Sequence, residues 1–342
     1  MTYTLKDLGW SNHFARQLED ASAQTPFRIS EVHRDRLSAL GADGELTLIT
    51  TDHSTGDFAV GDWVLADDAS RITHLFDRQT ELKRRAAGTD ARLQLIAANV
   101  DVLFITSSCN ADFNPARVER YLALAHEAGC FAVLVLTKAD LCDDPRVVIR
   151  DAERLAPALP VLAVNALDPE GIAQLESWLP AGQTAALVGS SGVGKTTLMN
   201  GLCDLHDATQ GIREDDAKGR HTTTARSLRP TRKGAWLIDT PGMRALRLAD
   251  AGEGIDALFD DIVTLTASCR FSDCQHEGEP GCAVQAAISD GDLDPDRLKR
   301  WRKLQAEDRR NTETLAEARA RDKAFGKMVN SVVRGSHYQK GR

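Results

Sequence analysis

Five short runs between residues 100 and 240 are apolar almost without interruption: "VDVLFITSS", "FAVLVLT", "PVLAVNA", "TAALVGS" and "AWLIDT". A strand with one face in water alternates apolar and polar residues, whereas a strand covered on both faces does not. Helical patterns such as "NPARVERYLALAHEAG" and "PEGIAQLESWLP" lie between several of these runs. The alternation predicts a mostly parallel sheet with helices on both faces. Sheets of this kind bind ligands in the loops at the carboxyl ends of their strands.

The run "TAALV" leads into "GSSGVGKTT" and then into the helical "TTLMNGL". Gly189, Ser190, Ser191, Gly192, Val193, Gly194, Lys195 and Thr196 satisfy G-x-x-x-x-G-K-[ST], and Thr197 follows within the helix. Glycines let backbone N–H groups converge on phosphate oxygens, and the helix N-terminus adds a favourable dipole. Lys195 is expected to reach the β- and γ-phosphates, and Thr196 to place its hydroxyl on Mg²⁺. "DTPG", Asp239 to Gly242, ends a later strand, as expected where Asp supports Mg²⁺ and the Gly N–H meets the γ-phosphate. A rival D-x-x-G at Asp168 sits before a helix and reads as its cap. Between Thr197 and Asp239, "GRHTTTA" offers Thr222 to Thr224 as a second hydroxyl source for Mg²⁺.

None of this separates ATP from GTP. "TKAD", comprising Thr137, Lys138, Ala139 and Asp140, ends the buried run "FAVLVLT". A carboxylate there can accept from both N1–H and the N2 amino group of guanine, a donor pair that adenine lacks. Lys138 is expected to lay its stem over the base and to brace the phosphate loop. The element precedes the phosphate loop, the reverse of the usual order. Chain order need not follow order in the sheet, because nearby termini can be joined and the chain reopened elsewhere. Asn165 and Ala166, in "VNA", close the next run on the same side.

Upstream, residues 28 to 85 contain five short runs, "RISEV", "ELTLIT", "DWVLAD", "RITHLF" and "TELKRR", separated by "GADG", "DHSTGD" and "DDAS". They predict a small barrel, most economically an OB-fold, with an SH3-like barrel or plain hairpins as alternatives. Downstream, "CRFSDCQHEGEPGC" puts Cys269, Cys274, His276 and Cys282 within fourteen residues. Three thiolates and an imidazole complete a tetrahedral Zn²⁺ set, and a closed set implies a structural metal. The other cysteines, Cys109, Cys130, Cys142 and Cys203, stand singly in apolar or helical surroundings, as in a reducing cytosol. No apolar run approaches the length of a membrane span, and the N-terminus lacks the pattern of a secretory signal. A net charge of −8 argues against indiscriminate nucleic-acid binding while leaving room for local basic patches, such as the Lys- and Arg-rich tail after residue 298.

The order of barrel, base loop, phosphate loop, switches and cysteine cluster resembles the circularly permuted GTPases that act on the small ribosomal subunit, the RsgA (YjeQ) family. The likeness runs through "VGDWV", "AANVD", "FNPARVERYL", "TKAD", "GSSGVGKTT", "GRHTTT", "DTPG" and the cysteine motif. It implies three parts: an extension and OB-like barrel over residues 1–84, a permuted GTPase domain over 85–247, and a zinc module with a helical basic tail over 248–342. It further implies GTP and GDP, Mg²⁺ and one structural Zn²⁺, and a cytoplasmic, monomeric protein. Its partners would be the small subunit with its rRNA, and other subunit-maturation factors. His221 is then the catalytic histidine and Thr223 the switch threonine on Mg²⁺. The chain departs from the family pattern at Thr137, where Asn is more usual, and at "VNA", where Ser-Ala is common. Met243 occupies the position after D-x-x-G where Ras-like proteins carry a water-orienting Gln, so slow intrinsic hydrolysis is expected. Two other readings remain open at this level: a GTP-gated binding module in which hydrolysis only resets occupancy, and a zinc-handling GTPase.

Overall fold

The computed structural model describes residues 2–18, 24–51, 53–85, 93–109, 113–205, 226–239 and 250–312. After a short helix α1 (Asn12–Ala15), five strands form the N-terminal barrel: β1 (Pro26–Val32), β2 (Leu37–Gly41), β3 (Gly44–Leu48), β4 (Trp63–Ala66) and β5 (Ile72–Leu75). β1, β2 and β3 form an antiparallel meander, and β4 pairs with both β1 and β5. A parallel bridge between Ile49 and Arg71 closes the circuit from the end of β3 to the start of β5. This is the OB-like barrel, wrapped around Ile29, Leu37, Leu48, Phe58 and Val64.

The barrel's strand list differs from the expected one. β2, "LSALG", was not among the expected strands: its inward residues are Leu37, Ala39 and Gly41, two of them too small to carry a strong apolar signal. "TELKRR" supplies β6 (Glu81–Arg85), which leaves the barrel and pairs in a separate hairpin with β7 (Leu93–Ala98).

The remaining elements are β8 (Val102–Ser108), α2 (Pro115–Ala128), β9 (Phe131–Thr137), α3 (Pro145–Glu153), β10 (Val161–Ala163), α4 (Pro169–Glu176), β11 (Thr184–Gly189), α5 (Lys195–Cys203), β12 (Ser227–Pro230) and β13 (Trp236–Asp239). Helices α6 (Gly252–Leu258), α7 (Asp260–Ala267), α8 (Ala283–Asp290) and α9 (Pro295–Thr312) follow. The large sheet runs β10–β9–β8–β11–β13–β12 and continues through β1 into the barrel. The first five of these strands are parallel, and β12 is antiparallel to β13. Successive residues of β8 explain the two covers. Val102 and Phe104 join a cluster with Ile172 and Leu175 of α4 and Leu198 and Leu202 of α5. Leu103 and Ile105 join the opposite cluster with Tyr121 and Leu122 of α2 and Ile255 of α6. Helix α2 shows the local logic: Asn114 accepts from the Arg117 N–H at 3.0 Å, Pro115 opens the first turn, and Gly129 ends the helix at φ 73°.

Charged groups fasten the outer modules to this core. Arg28 of the barrel is buried and donates to the Leu8 carbonyl at 2.6 Å and to Thr184 Oγ1 at 2.7 Å, at the foot of β11. Glu119 of α2, fully buried, accepts from Arg300 of α9 at 2.8 Å and lies 3.6 Å from Arg297. Arg297 also grips Asp261 through two hydrogen bonds of 2.8 and 2.9 Å. Helix α6 has no cap of its own; the Ala251 N–H donates to Asp308 of α9 and the Gly254 N–H to Glu127 of α2, both at 2.9 Å. Among the described residues no helix is long and apolar enough to cross a membrane.

Candidate nucleotide site and metal centre

The sheet order sets β11 between β8 and β13, with β9 one strand further out. The loop joining β11 to α5 begins at Gly189, whose φ of 148° is closed to other residues. A Cβ there would lie 2.2 Å from the Thr106 carbonyl oxygen of β8, so the loop can leave the sheet only as glycine. Gly194 caps α5 in the left-handed region, at φ 91°, and offers no side chain to the first-turn amides. Those amides are thus directed at whatever the loop encloses. Lys195 Nζ donates to the carbonyls of Gly189 at 2.9 Å and Ser190 at 2.5 Å, which folds its ammonium back over the loop. Ser191, Gly192 and Thr196 are exposed, Ser190 and Thr197 half-buried, and Val193 is buried beneath the loop.

The base-loop residues lie beside it. Thr137, fully buried at the end of β9, donates its hydroxyl to the Val193 carbonyl at 2.6 Å, with the Ser107 carbonyl a second acceptor at 3.2 Å. Thr137 rather than Lys138 therefore makes the hydrogen bond that ties this loop to the phosphate loop. Lys138 turns the chain at φ 58° into a single 3₁₀ turn, Ala139–Leu141. The Ala139 N–H donates to the Val164 carbonyl at 3.2 Å, holding the "TKAD" and "VNA" loops together. Asp140 is exposed, and its carboxylate has no hydrogen bond or ion pair among the described residues. Asn165 spends its side-chain oxygen on the Leu167 N–H at 3.0 Å, shaping its own loop, and Ala166 is half-buried beside it. Asp168 caps α4 by accepting from the Glu170 N–H at 3.0 Å.

Asp239 ends β13, adjacent to β11 and opposite Ser227 of β12. Thr137, Lys138, Asp140, Lys195, Thr196 and Asp239 thus come to one edge of the sheet from three strands. His221, Thr222 to Thr224, Gly242 and Met243 lie outside the described residues, as does the tail beyond Thr312.

In the C-terminal module, the ligand atoms of Cys269, Cys274, His276 and Cys282 all lie within 4.8 Å of one another. Cys269 Sγ and Cys282 Sγ are 3.9 Å apart, and each is 3.5 Å from His276 Nδ1. A tetrahedral ion with Zn–S of about 2.3 Å and Zn–N of about 2.0–2.1 Å needs S···S of about 3.8 Å and S···N of about 3.5 Å. The donor set fits Zn²⁺ through Nδ1 of the imidazole. The chain between His276 and Cys282 doubles back around Glu279, a role that sequence reading missed. Its carboxylate accepts from the N–H groups of Gln275 and Glu277 at 2.8 Å and of Gly278 at 3.1 Å. The amides of Glu279 itself, Gly278 and Gln275 hold this exposed carboxyl down at about 2. An acidic residue flanked by turn glycines was the available signal. Cys282 doubles as the cap of α8, its Sγ accepting from the Gln285 N–H at 3.4 Å.

Comparison with known proteins bears on what this assembly is. The RsgA GTPase family pattern matches residues 75–249. Small ribosomal subunit biogenesis GTPase RsgA of Mesorhizobium japonicum is 52% identical over 316 residues, covering 90% of this chain and 91% of that protein. RsgA 2 of Vibrio vulnificus, which bears the same description, is 49% identical over 335 residues, 96% and 95% of the two chains. Among solved structures, YjeQ from Thermotoga maritima superposes with a TM-score of 0.60 at 22% identity, over 82% of this chain and 97% of its own. YloQ, described as a circularly permuted GTPase, gives 0.59 at 20% identity, over 87% and 99%. These two likenesses concern the fold. With half the chain matched by the family pattern and nearly all of it aligned to close relatives, the chain belongs to the RsgA GTPase family, hydrolases with a circularly permuted fold.

Proposed function

We propose that this GTPase docks on the small ribosomal subunit in the cytoplasm, assists its late maturation, and hydrolyses GTP faster when docked. The observation that carries the nucleotide reading is the 2.6 Å hydrogen bond from Thr137 to the Val193 carbonyl, which fixes the base loop and the phosphate loop as one unit. Asp140 reads the guanine edge, with Lys138 alongside the base and Ala139, Asn165 and Ala166 around it. The amides of Gly189 to Thr197 hold the phosphates, and Lys195 exchanges its two carbonyl acceptors for phosphate oxygens. Thr196, Thr223 and Asp239 would hold Mg²⁺, which neutralises charge developing on the phosphates. The zinc set is structural, since four protein ligands leave no open position. Residues 1–84, 85–247 and 248–342 divide the labour between barrel, GTPase and zinc module. Docking on RNA explains why a protein of net charge −8 carries local basic segments.

Met243 stands where a water-orienting Gln would be, so His221 is assigned to orient the attacking water. The test is GTP hydrolysis with and without purified small subunits, for wild type and His221→Ala. The variant should keep GTP affinity and subunit binding but lose stimulation by on the order of 10²-fold or more. Equal stimulation of the two proteins would remove His221 from this role; no stimulation of wild type would remove the subunit-coupled reading.

A further inference from the structure

Helix α9 touches the cysteine–histidine centre at one point and the GTPase core at another. Arg302 donates to the Gln275 carbonyl, and Gln285 of α8 donates to the carbonyl of His276 itself. These two arms bracket a strained ligand. His276 stands at φ 58°, in the left-handed region that residues other than glycine rarely adopt. Such a conformation persists only where its surroundings over-determine it. In this pose Nδ1 lies 3.5 Å from both Cys269 Sγ and Cys282 Sγ, and the Trp301 ring sits 6.2 Å from the imidazole.

Neighbouring residues of the same helix reach the GTPase core. Arg300, adjoining Trp301, donates to Glu119 of α2 at 2.8 Å. Arg297, a turn earlier, donates to the Leu155 carbonyl at 2.9 Å and to Asp261 of α7 at 2.8 Å. That helix ends at Ala267, just before Cys269. One helix therefore holds the loop that carries His276, the helix that delivers Cys269, and α2 of the GTPase domain. Three thiolates outweigh the charge of Zn²⁺, so a loaded centre is net negative, and Arg302 places a cation beside it. Groups that hold a metal's ligands from behind change its affinity when they are altered.

We propose that α9 makes metal binding and attachment of the C-terminal module to the GTPase domain one equilibrium, with Trp301 and Arg302 as positioning residues for His276. This coupling rests on the zinc reading above and extends it beyond the module's own fold: the metal state sets how firmly α9 holds Glu119. Reciprocity then requires that loss of the Glu119 contact weaken metal binding by the same factor by which metal strengthens that contact.

The test measures zinc affinity of the full-length chain by competition with a chromophoric chelator. The proteins are wild type, two seam variants (Glu119→Gln and Arg300→Gln), Arg302→Gln, and Leu48→Ala in the barrel core as a control for general destabilisation. The seam variants and Arg302→Gln should each bind zinc about 10- to 100-fold more weakly, the usual scale for such outer partners. Leu48→Ala should bind it as wild type does. Chelating the metal from wild type should raise hydrogen exchange in α2 and α9 as well as in the ligand loop. Guanine-nucleotide affinity, unchanged throughout, certifies the GTPase fold. Wild-type zinc affinity in either seam variant, or exchange that rises in the ligand loop alone, would overturn the coupling and leave the zinc reading standing. Equal weakening in Leu48→Ala would overturn it in favour of general destabilisation. Absence of zinc from wild type would overturn both.

Discussion

Thr137 and Asp140, three residues apart, divide one motif into two jobs. Thr137 is buried and spends its hydroxyl on the phosphate loop, while Asp140 is exposed at the sheet edge. Thr137→Val keeps the shape but leaves the Val193 carbonyl without its donor, at a cost of about 1–3 kcal/mol. Titration with a fluorescent guanine nucleotide should show affinity falling by on the order of 5- to 100-fold, with Thr137→Ser restoring most of it. An unchanged affinity would mean that the two loops hold their positions independently. Asp140→Asn removes the paired acceptors and should cost about 2–4 kcal/mol of GTP binding, while improving binding of xanthosine triphosphate, which has a carbonyl where guanine has its amino group. Calorimetry with both nucleotides checks this, and undiminished GTP binding would place base reading elsewhere. Motif reading brought these residues forward because loop chemistry depends on residue type and spacing. It did not say which way each side chain turns: bracing by Thr137 and the loop-shaping bond of Asn165 depend on neighbours distant in sequence.

The parallel strands were legible because burial on both faces leaves uninterrupted apolar runs, and the helices because caps such as Asn114 and Asp168 mark their starts. The barrel was only partly legible. β2 carries its inward face on Leu, Ala and Gly, and β6 has strand-like residues that say nothing of their partner. Partner choice is set by tertiary pairing, here with β7 across a bulge between Leu82 and Lys83. The cysteine cluster was legible as a group that could hold a metal ion, although its fold depends on backbone amides gathered by Glu279. Cys274→Ala should release the metal and raise hydrogen exchange between residues 265 and 290, with little effect on nucleotide affinity. Metal analysis of wild type should find one zinc per chain; finding none would end the assignment.

Across the whole molecule, the modules are joined by buried polar contacts as well as by apolar packing. Glu119 is the sharpest case, a fully buried carboxylate shared between Arg300 and Arg297. Glu119→Ala takes from Arg300 its 2.8 Å carboxylate partner at the seam between α2 and α9, while Arg297 keeps Asp261, and should cost about 3 kcal/mol. Denaturant unfolding followed by tryptophan fluorescence would report it through Trp301 of α9, and a loss below about 1 kcal/mol would mean that apolar contacts alone hold the seam. The permuted strand order has a consequence for synthesis. β8, β9 and β10 are complete once residue 163 has been made, but β11, which must cover the free edge of β8, begins only at Thr184. Between residues 108 and 184 that edge waits for about 4–15 s at a bacterial elongation rate of roughly 5–20 residues per second. An apolar strand with an open ladder is a template for pairing with other chains. The newborn protein therefore has the strand that ends in "TKAD" in place before the β11–α5 loop exists, and it passes through an aggregation-prone interval while still attached to the ribosome that is making it.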